Sequence, residues 1–276
     1  MTEKKFGIIG RPLSHSLSPL LHNFWFKKHS IKASYSLLEI EAQQIGEVIN
    51  KIKKRELQGI NVTTPYKQMV IPFLDLIIND AKETSSVNTI YLNEEHKIVG
   101  ENTDVYGFDC SFFKKLNDKD LSEKKFLILG AGGVTPSIIY ALIKKEIKKI
   151  FISNRTIQKI KNIKNKFPFI EIVLWEDVDS KSEDMDVIIN ATSLGMKNGN
   201  DFNQIIRKFK PELIYYDVIY NPLETTMLKN LKEKKVKTFN GLDMFLYQAQ
   251  KSFYLWNKVT AEIDDELRKK IIFNLK

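Results

Sequence analysis

Apolar positions fall into short β-rich runs separated by amphipathic stretches, an alternation that predicts an α/β chain. Toward the N-terminus the pattern predicts strands at Lys5–Ile9, Ser34–Leu38 and Gly59–Val62. Helices are predicted at Leu20–Lys28 and Gln44–Lys54. A further helix is expected over Tyr66–Leu76, broken or kinked at Pro72, where the ring and the missing N–H oppose a helix interior. Val87–Leu92 and Lys97–Val99 are spaced to pair around the polar turn Asn93-Glu-Glu-His96.

A second series begins near Asp104. Val105–Leu116 is expected to be helical, and Phe126–Leu129 is an apolar run that ends in Gly130-Ala-Gly-Gly133. After a helix come strand-like runs at Ile150–Ser153, Ile170–Leu174, Val187–Asn190, Leu213–Val218 and Val236–Phe239. Strands separated mostly by helices predict a doubly wound, Rossmann-type parallel sheet. Met244–Leu275 reads as two helices with no strand between them, and such a tail is expected to return to the first domain. The expected division is therefore 1–103 plus 242–276 for one α/β domain and 104–241 for the other.

Composition narrows the function classes. The chain has 276 residues, 43% hydrophobic and 28% charged, which suits two modest globular domains. No run approaches the roughly 18 apolar residues of a membrane span. Met1-Thr-Glu-Lys-Lys5 leads straight into a strand, so no secretory signal is expected. The single cysteine, Cys110, has no partner for a disulfide and no cluster for zinc, and the cytoplasm is the expected compartment. The net charge of +9 is spread along the chain rather than gathered, so a solvated Lys-rich surface is expected and no nucleic-acid partner. The assembly expected is a monomer or a homodimer.

Gly130, Ala131, Gly132 and Gly133 stand between a strand and a helix, where a dinucleotide-binding loop belongs. Glycines let backbone N–H groups approach a pyrophosphate, and the helix N-terminus favours its charge. Thr135 replaces the third glycine of the fingerprint, and Pro136 is tolerated in the first helical turn. At the end of the next strand, Asn154, Arg155 and Thr156, with Lys159 nearby, offer no carboxylate for a ribose diol. A guanidinium there suits a 2′-phosphate, so NADP(H) is expected over NAD.

Other polar stretches are unusual for packing alone: Ser14-His-Ser-Leu-Ser-Pro19, Asn61-Val-Thr-Thr-Pro-Tyr-Lys67, Val87-Asn-Thr89 and Asn102-Thr-Asp104. Local roles are open to some of them. Ser18-Pro19 is a good helix start, Asp104 can cap a helix, and Lys67 is expected to open one. His15 and His22 are expected to make local hydrogen bonds near a helix start.

Taken in order with Gly130-Ala-Gly-Gly133, Asn154-Arg-Thr156, Asn190-Ala-Thr-Ser193, Asp217-Val-Ile-Tyr-Asn-Pro222 and Asn240-Gly241 through Gln248, these stretches resemble the shikimate dehydrogenase family over nearly the whole chain. Val105 and Asp243 depart from the family pattern without removing a functional group. The resemblance implies NADPH-dependent reduction of 3-dehydroshikimate, a small-molecule substrate and no metal. It implies that Ser16 and Ser18 bind the substrate carboxylate, with Tyr220 near it. Asn61, Thr63, Asn88, Asp104 and Gln248 would hold ring hydroxyls. Lys67 and Asp104 would be the catalytic pair. Gly241 and Met244 would border the nicotinamide, and Thr192 would join the glycine loop, Asn154, Arg155, Thr156 and Lys159 in binding the cofactor. The chemistry agrees: a ketone oxygen gaining negative charge needs a cation or proton donor, and a partly buried lysine needs an anion beside it.

Overall fold

The computed structural model describes residues 3–116, 121–197 and 206–275. In its N-terminal part the strands are β1 (Lys4–Gly10), β2 (Ala33–Glu39), β3 (Gly59–Val62), β4 (Leu76–Ile77), β5 (Thr89–Leu92) and β6 (Ile98–Glu101). They form one mixed sheet in the order β2-β1-β3-β5-β6-β4. β1 pairs in parallel with both β2 and β3, whereas β5 is antiparallel to β3 and β6. β3 and β6 are buried along their whole length, because helices cover a central sheet on both faces. The helix Ile45–Lys53 turns Ile45, Val48, Ile49 and Ile52 inward, the i, i+3, i+4, i+7 spacing of one helical face. These side chains pack with Ile9, Ile60, Val62 and Ile90.

Tyr66–Leu76 is not an α-helix. The segment makes successive tight turns, Tyr66 N–H to Thr63 O and Val70 N–H to Tyr66 O, and one short turn at Ile71–Phe73. Its apolar spacing is helical, but Pro65 and Pro72 deny it the donors and the backbone freedom of a continuous helix.

The remaining strands are β7 (Lys125–Leu129), β8 (Lys149–Ser153), β9 (Glu171–Ile172), β10 (Val187–Asn190), β11 (Ile214–Asp217) and β12 (Lys237–Phe239). All are parallel, in the order β12-β11-β10-β7-β8-β9, which is the doubly wound arrangement. Leu127, Leu129, Ile188 and Tyr215 lie at its core. The expected strand Ile170–Leu174 shrinks to the two residues of β9. The expected helix Val105–Leu116 is a composite: Asp104–Phe108 is regular, Asp109–Phe113 widens into a π-type turn, and Lys114–Leu116 follows. Phe108 and Phe112 both pack edge-on against Tyr216, at 5.1 and 5.4 Å between ring centres, and Ser111 bonds the Tyr216 hydroxyl.

Two compact units result, Met1–Gly107 with Leu246–Asn274 and Phe108–Phe245 with Leu275–Lys276. The helix Leu242–Asn257 therefore starts in one unit and ends in the other. The tail returns to the first unit against the helix Ser18–Lys28, where Trp25 Nε1 donates to Glu262 O at 2.9 Å and Phe26 packs on buried Phe253. Asp264 caps the last helix, Asp265–Phe273, by accepting from Leu267 N–H.

Candidate active site

The chain leaves β3 at Val62, and the turns that follow set Lys67 beside Asp104, the first residue of the helix Asp104–Phe108. Lys67 lies in a turn rather than opening a helix, and its carbonyl accepts from Val87 N–H at 2.9 Å. Its Nζ is 2.6 Å from Asp104 Oδ2, with only 12% and 9% of the two side chains exposed. The other carboxylate oxygen of Asp104 accepts from Asn88 Nδ2 at 2.9 Å, and Asn102 Oδ1 accepts the Asp104 backbone N–H. Asp104 thus begins a helix while its carboxylate is committed to the ammonium.

Asn61, at the end of β3, is the hub of a buried polar layer. Its Oδ1 accepts from the Tyr35 hydroxyl at 2.8 Å. Its Nδ2 faces Asn88 O, Thr89 Oγ1 and Ser252 Oγ at 3.1, 3.2 and 3.0 Å. Asn88 Oδ1 accepts from Thr103 N–H and lies within reach of the Thr89 and Thr103 hydroxyls. Two amide protons already meet three acceptors at Asn61, so what remains open to a ligand is acceptor capacity on Oδ1. Ser252 also lies 2.8 Å from Thr89 Oγ1 and donates to Gln248 O, one helical turn back. Tyr35 and Ser252 were missed in the sequence. Ser252 follows Gln248 at i+4 on one helical face, which was a usable signal, whereas nothing local marks Tyr35.

Ser18 is the first residue of the helix Ser18–Lys28, and no side chain caps that helix at Leu17. The serine hydroxyls are 3.3 Å apart, and Ser16 Oγ accepts the Ser18 N–H at 3.4 Å. Thr63, half-buried, has its N–H on Ile9 O, and Gln248 is also half-buried. His22 does not make the local hydrogen bonds expected of it. It is fully buried, neither ring nitrogen has a partner among the described residues, and it stacks on Tyr35 at 4.4 Å. Burial lowers its pKa to about 3.

In the second unit, Gly130 follows β7 with φ of +114°, a conformation that favours glycine. A Cβ there would also meet Ala191 O at 2.8 Å. Ala131 N–H donates to Asn154 Oδ1, and Gly132 N–H to Thr135 Oγ1, whose own proton goes to Gly130 O. Thr135 therefore closes the loop through its hydroxyl where the fingerprint has glycine. Open space surrounds the position of a Gly132 Cβ, and the helix Thr135–Ile143 begins immediately after. Arg155, Thr156 and Lys159 are exposed beyond the end of β8, and Asn154 Nδ2 is tied to Thr156 O. A glycine turn at a helix N-terminus, with two exposed cations and no carboxylate at the strand end, fits a dinucleotide bearing a 2′-phosphate.

Thr192 is half-buried on the turn after β10. Gly241 passes so close to the chain that a Cβ would lie 2.0 Å from Val218 O, and Met244 is buried next to it. Tyr220 stacks on Phe245 at 4.6 Å, and burial pushes its hydroxyl pKa up to about 12. Among the described residues no group of three or more His, Cys, Asp or Glu could hold a metal ion, and no helix is long and apolar enough to cross a membrane.

Residues 8–90 match the family described as the shikimate dehydrogenase substrate binding domain, and residues 113–218 match shikimate / quinate 5-dehydrogenase. A shikimate dehydrogenase (NADP(+)) of Pelagibacter ubique is 47% identical over 264 residues, covering 96% of this chain and 97% of that protein. A shikimate dehydrogenase solved in complex with NADP+ superposes with a TM-score of 0.89 at 32% identity, covering 99% of this chain and 96% of the other. The shikimate dehydrogenase of Aquifex aeolicus gives 0.86 at 34% identity, with 98% and 97% covered.

Proposed function

This chain belongs to the shikimate dehydrogenase family, and from that premise we propose that it reduces 3-dehydroshikimate reversibly to shikimate with NADPH, a step toward the aromatic amino acids. The observation that supports this most is the 2.6 Å contact between the Lys67 ammonium and the Asp104 carboxylate within a buried field of hydroxyl and amide groups. The first unit is the proposed substrate half and the second the NADP-binding half. The proposed compartment is the cytoplasm, with the protein a monomer or homodimer.

The chemistry that NADPH supplies is a hydride. Everything else falls to the protein. Charge develops on the ring ketone oxygen as the carbon is reduced, and Lys67 places a cation and acid there. Asp104 holds that ammonium in one position, and Asn88 holds Asp104. Ser16 and Ser18 are proposed to hold the substrate carboxylate, and Asn61, Thr63, Asn88, Asp104 and Gln248 the ring hydroxyls. Tyr220 is proposed for the carboxylate. Gly130 to Gly133 with Asn154, Arg155, Thr156, Lys159 and Thr192 are proposed to hold the dinucleotide, with Gly241 and Met244 beside the nicotinamide.

The test is a spectrophotometric assay of NADP+ reduction by shikimate, with quinate and NAD+ as controls. Shikimate and NADP+ together should give the fastest turnover. No reduction of NADP+ by shikimate would reject the reading.

A further inference from the structure

Asp217 is fully buried, and among the described residues no cation forms an ion pair with it. Burial raises its pKa to about 7. Such a carboxyl burdens the fold unless its hydrogen bonds do something an apolar residue could not. Those bonds are specific. Oδ1 accepts from Asn190 Nδ2 and from Ile219 N–H, both at 3.0 Å, and Oδ2 accepts from Thr225 Oγ1 at 2.9 Å.

Asn190 and Asp217 are register partners, the last residues of neighbouring parallel strands. Asn190 Nδ2 also donates to Leu194 O at 3.1 Å. With two acceptors on one side, the amide can present only its nitrogen there, so its oxygen must face the opposite way. That oxygen accepts both the N–H and the hydroxyl proton of Thr192, at 3.0 and 2.7 Å. Thr192 Oγ1 in turn accepts from Leu194 N–H at 3.0 Å. The Thr192 hydroxyl has therefore committed its proton, and toward a ligand it can act only as an acceptor. The same turn abuts the glycine loop: a Cβ on Gly130 would lie 2.9 Å from Thr192 Cγ2.

We propose that Asp217 is a positioning residue for the dinucleotide. By fixing the Asn190 amide it turns Thr192 into an acceptor aimed at a ribose or amide donor of the cofactor rather than a donor to its phosphates. This rests on the proposed NADP-binding role of the second unit. It assigns work to two buried strand-end residues that touch no ligand themselves.

The experiment is NADPH titration by fluorescence, without shikimate, on wild type, Asp217→Asn, Asp217→Ala and Asn190→Ala. Asp217→Asn keeps an oxygen that can accept from Asn190 and should bind NADPH within about threefold of wild type. Asp217→Ala removes one of the two acceptors that hold the amide nitrogen and leaves it on Leu194 O, and Asn190→Ala removes the amide. Each should weaken NADPH by about tenfold, the double alanine variant should lose no more than one single variant, and the shikimate KM should stay within about twofold. If Asp217→Ala does not fold, Asn190→Ala carries the same prediction with the bonds of Asp217 to Ile219 and Thr225 intact. Unchanged NADPH affinity in the alanine variants, additive losses, or an equal rise in shikimate KM would overturn the inference and leave the functional reading standing. Failure of wild type to bind NADPH would reject both.

Discussion

Acid should unfold this protein partly through one buried ring. His22 has no exposed surface and, among the described residues, no partner for either ring nitrogen, and Tyr35, Trp25, Phe253 and Trp256 surround it. Its folded pKa is lowered from 6.5 to about 3, chiefly because burial penalises the imidazolium. The sign follows from linkage. Between those values the unfolded chain binds the proton and the folded one does not, so stability is complete above pH 6.5 and falls as pH drops toward 3. At pH 5 the loss depends almost only on the unfolded pKa: about 1.5 units at about 1.4 kcal/mol each gives about 2 kcal/mol. His22→Leu keeps the volume roughly and cannot titrate. Urea unfolding of both proteins at pH 7.5 and pH 5, followed by tryptophan fluorescence and circular dichroism, isolates the difference, because every other titrating group is shared. The variant should gain about 2 kcal/mol on wild type between the two pH values, whatever its offset at pH 7.5. Parallel losses, within about 0.5 kcal/mol, would mean that the ring is solvated or has a partner, and the argument would fail.

Two further outcomes follow from the site. Arg155→Ala should weaken NADP+ binding by about 1.5–3 kcal/mol, the range for hydrogen bonds to a charged group, and leave NAD+ binding little changed. Equal effects on the two cofactors in a binding titration would remove Arg155 from the 2′-phosphate. Ser252→Ala removes the hydroxyl that Asn61 Nδ2 and Thr89 Oγ1 meet at 3.0 and 2.8 Å while leaving both their other partners, and should cost about 0.5–1.5 kcal/mol in urea unfolding, the net worth of a neutral hydrogen bond. An unaltered midpoint would show that this polar layer closes without Ser252.

The sheets were legible because their strands are apolar runs with glycine or polar punctuation, and parallel strands covered on both faces need little else. Tyr66–Leu76 misled because Tyr66, Val70 and Leu74 recur at helical spacing, a signal that two prolines override. β4 is too short to show any period, and it is pinned by pairing with β6. Lys67 and Asp104 were readable as residue types in recognisable stretches. Their contact spans 37 positions and depends on turns that spacing does not encode. Thr135 interrupts the glycine fingerprint in the sequence, yet its hydroxyl completes the loop. His22 and Asp217 were obscure for one shared reason. Their behaviour comes from burial by distant segments, and no local pattern reports desolvation.

Lys67→Ala tests the central claim most directly. In steady-state and single-turnover oxidation of shikimate, kcat should fall by roughly a hundredfold or more, as for loss of an acid–base group, while NADPH binds as tightly as to wild type. A variant that turns over within a few-fold of wild type would contradict the role of the ammonium held by Asp104.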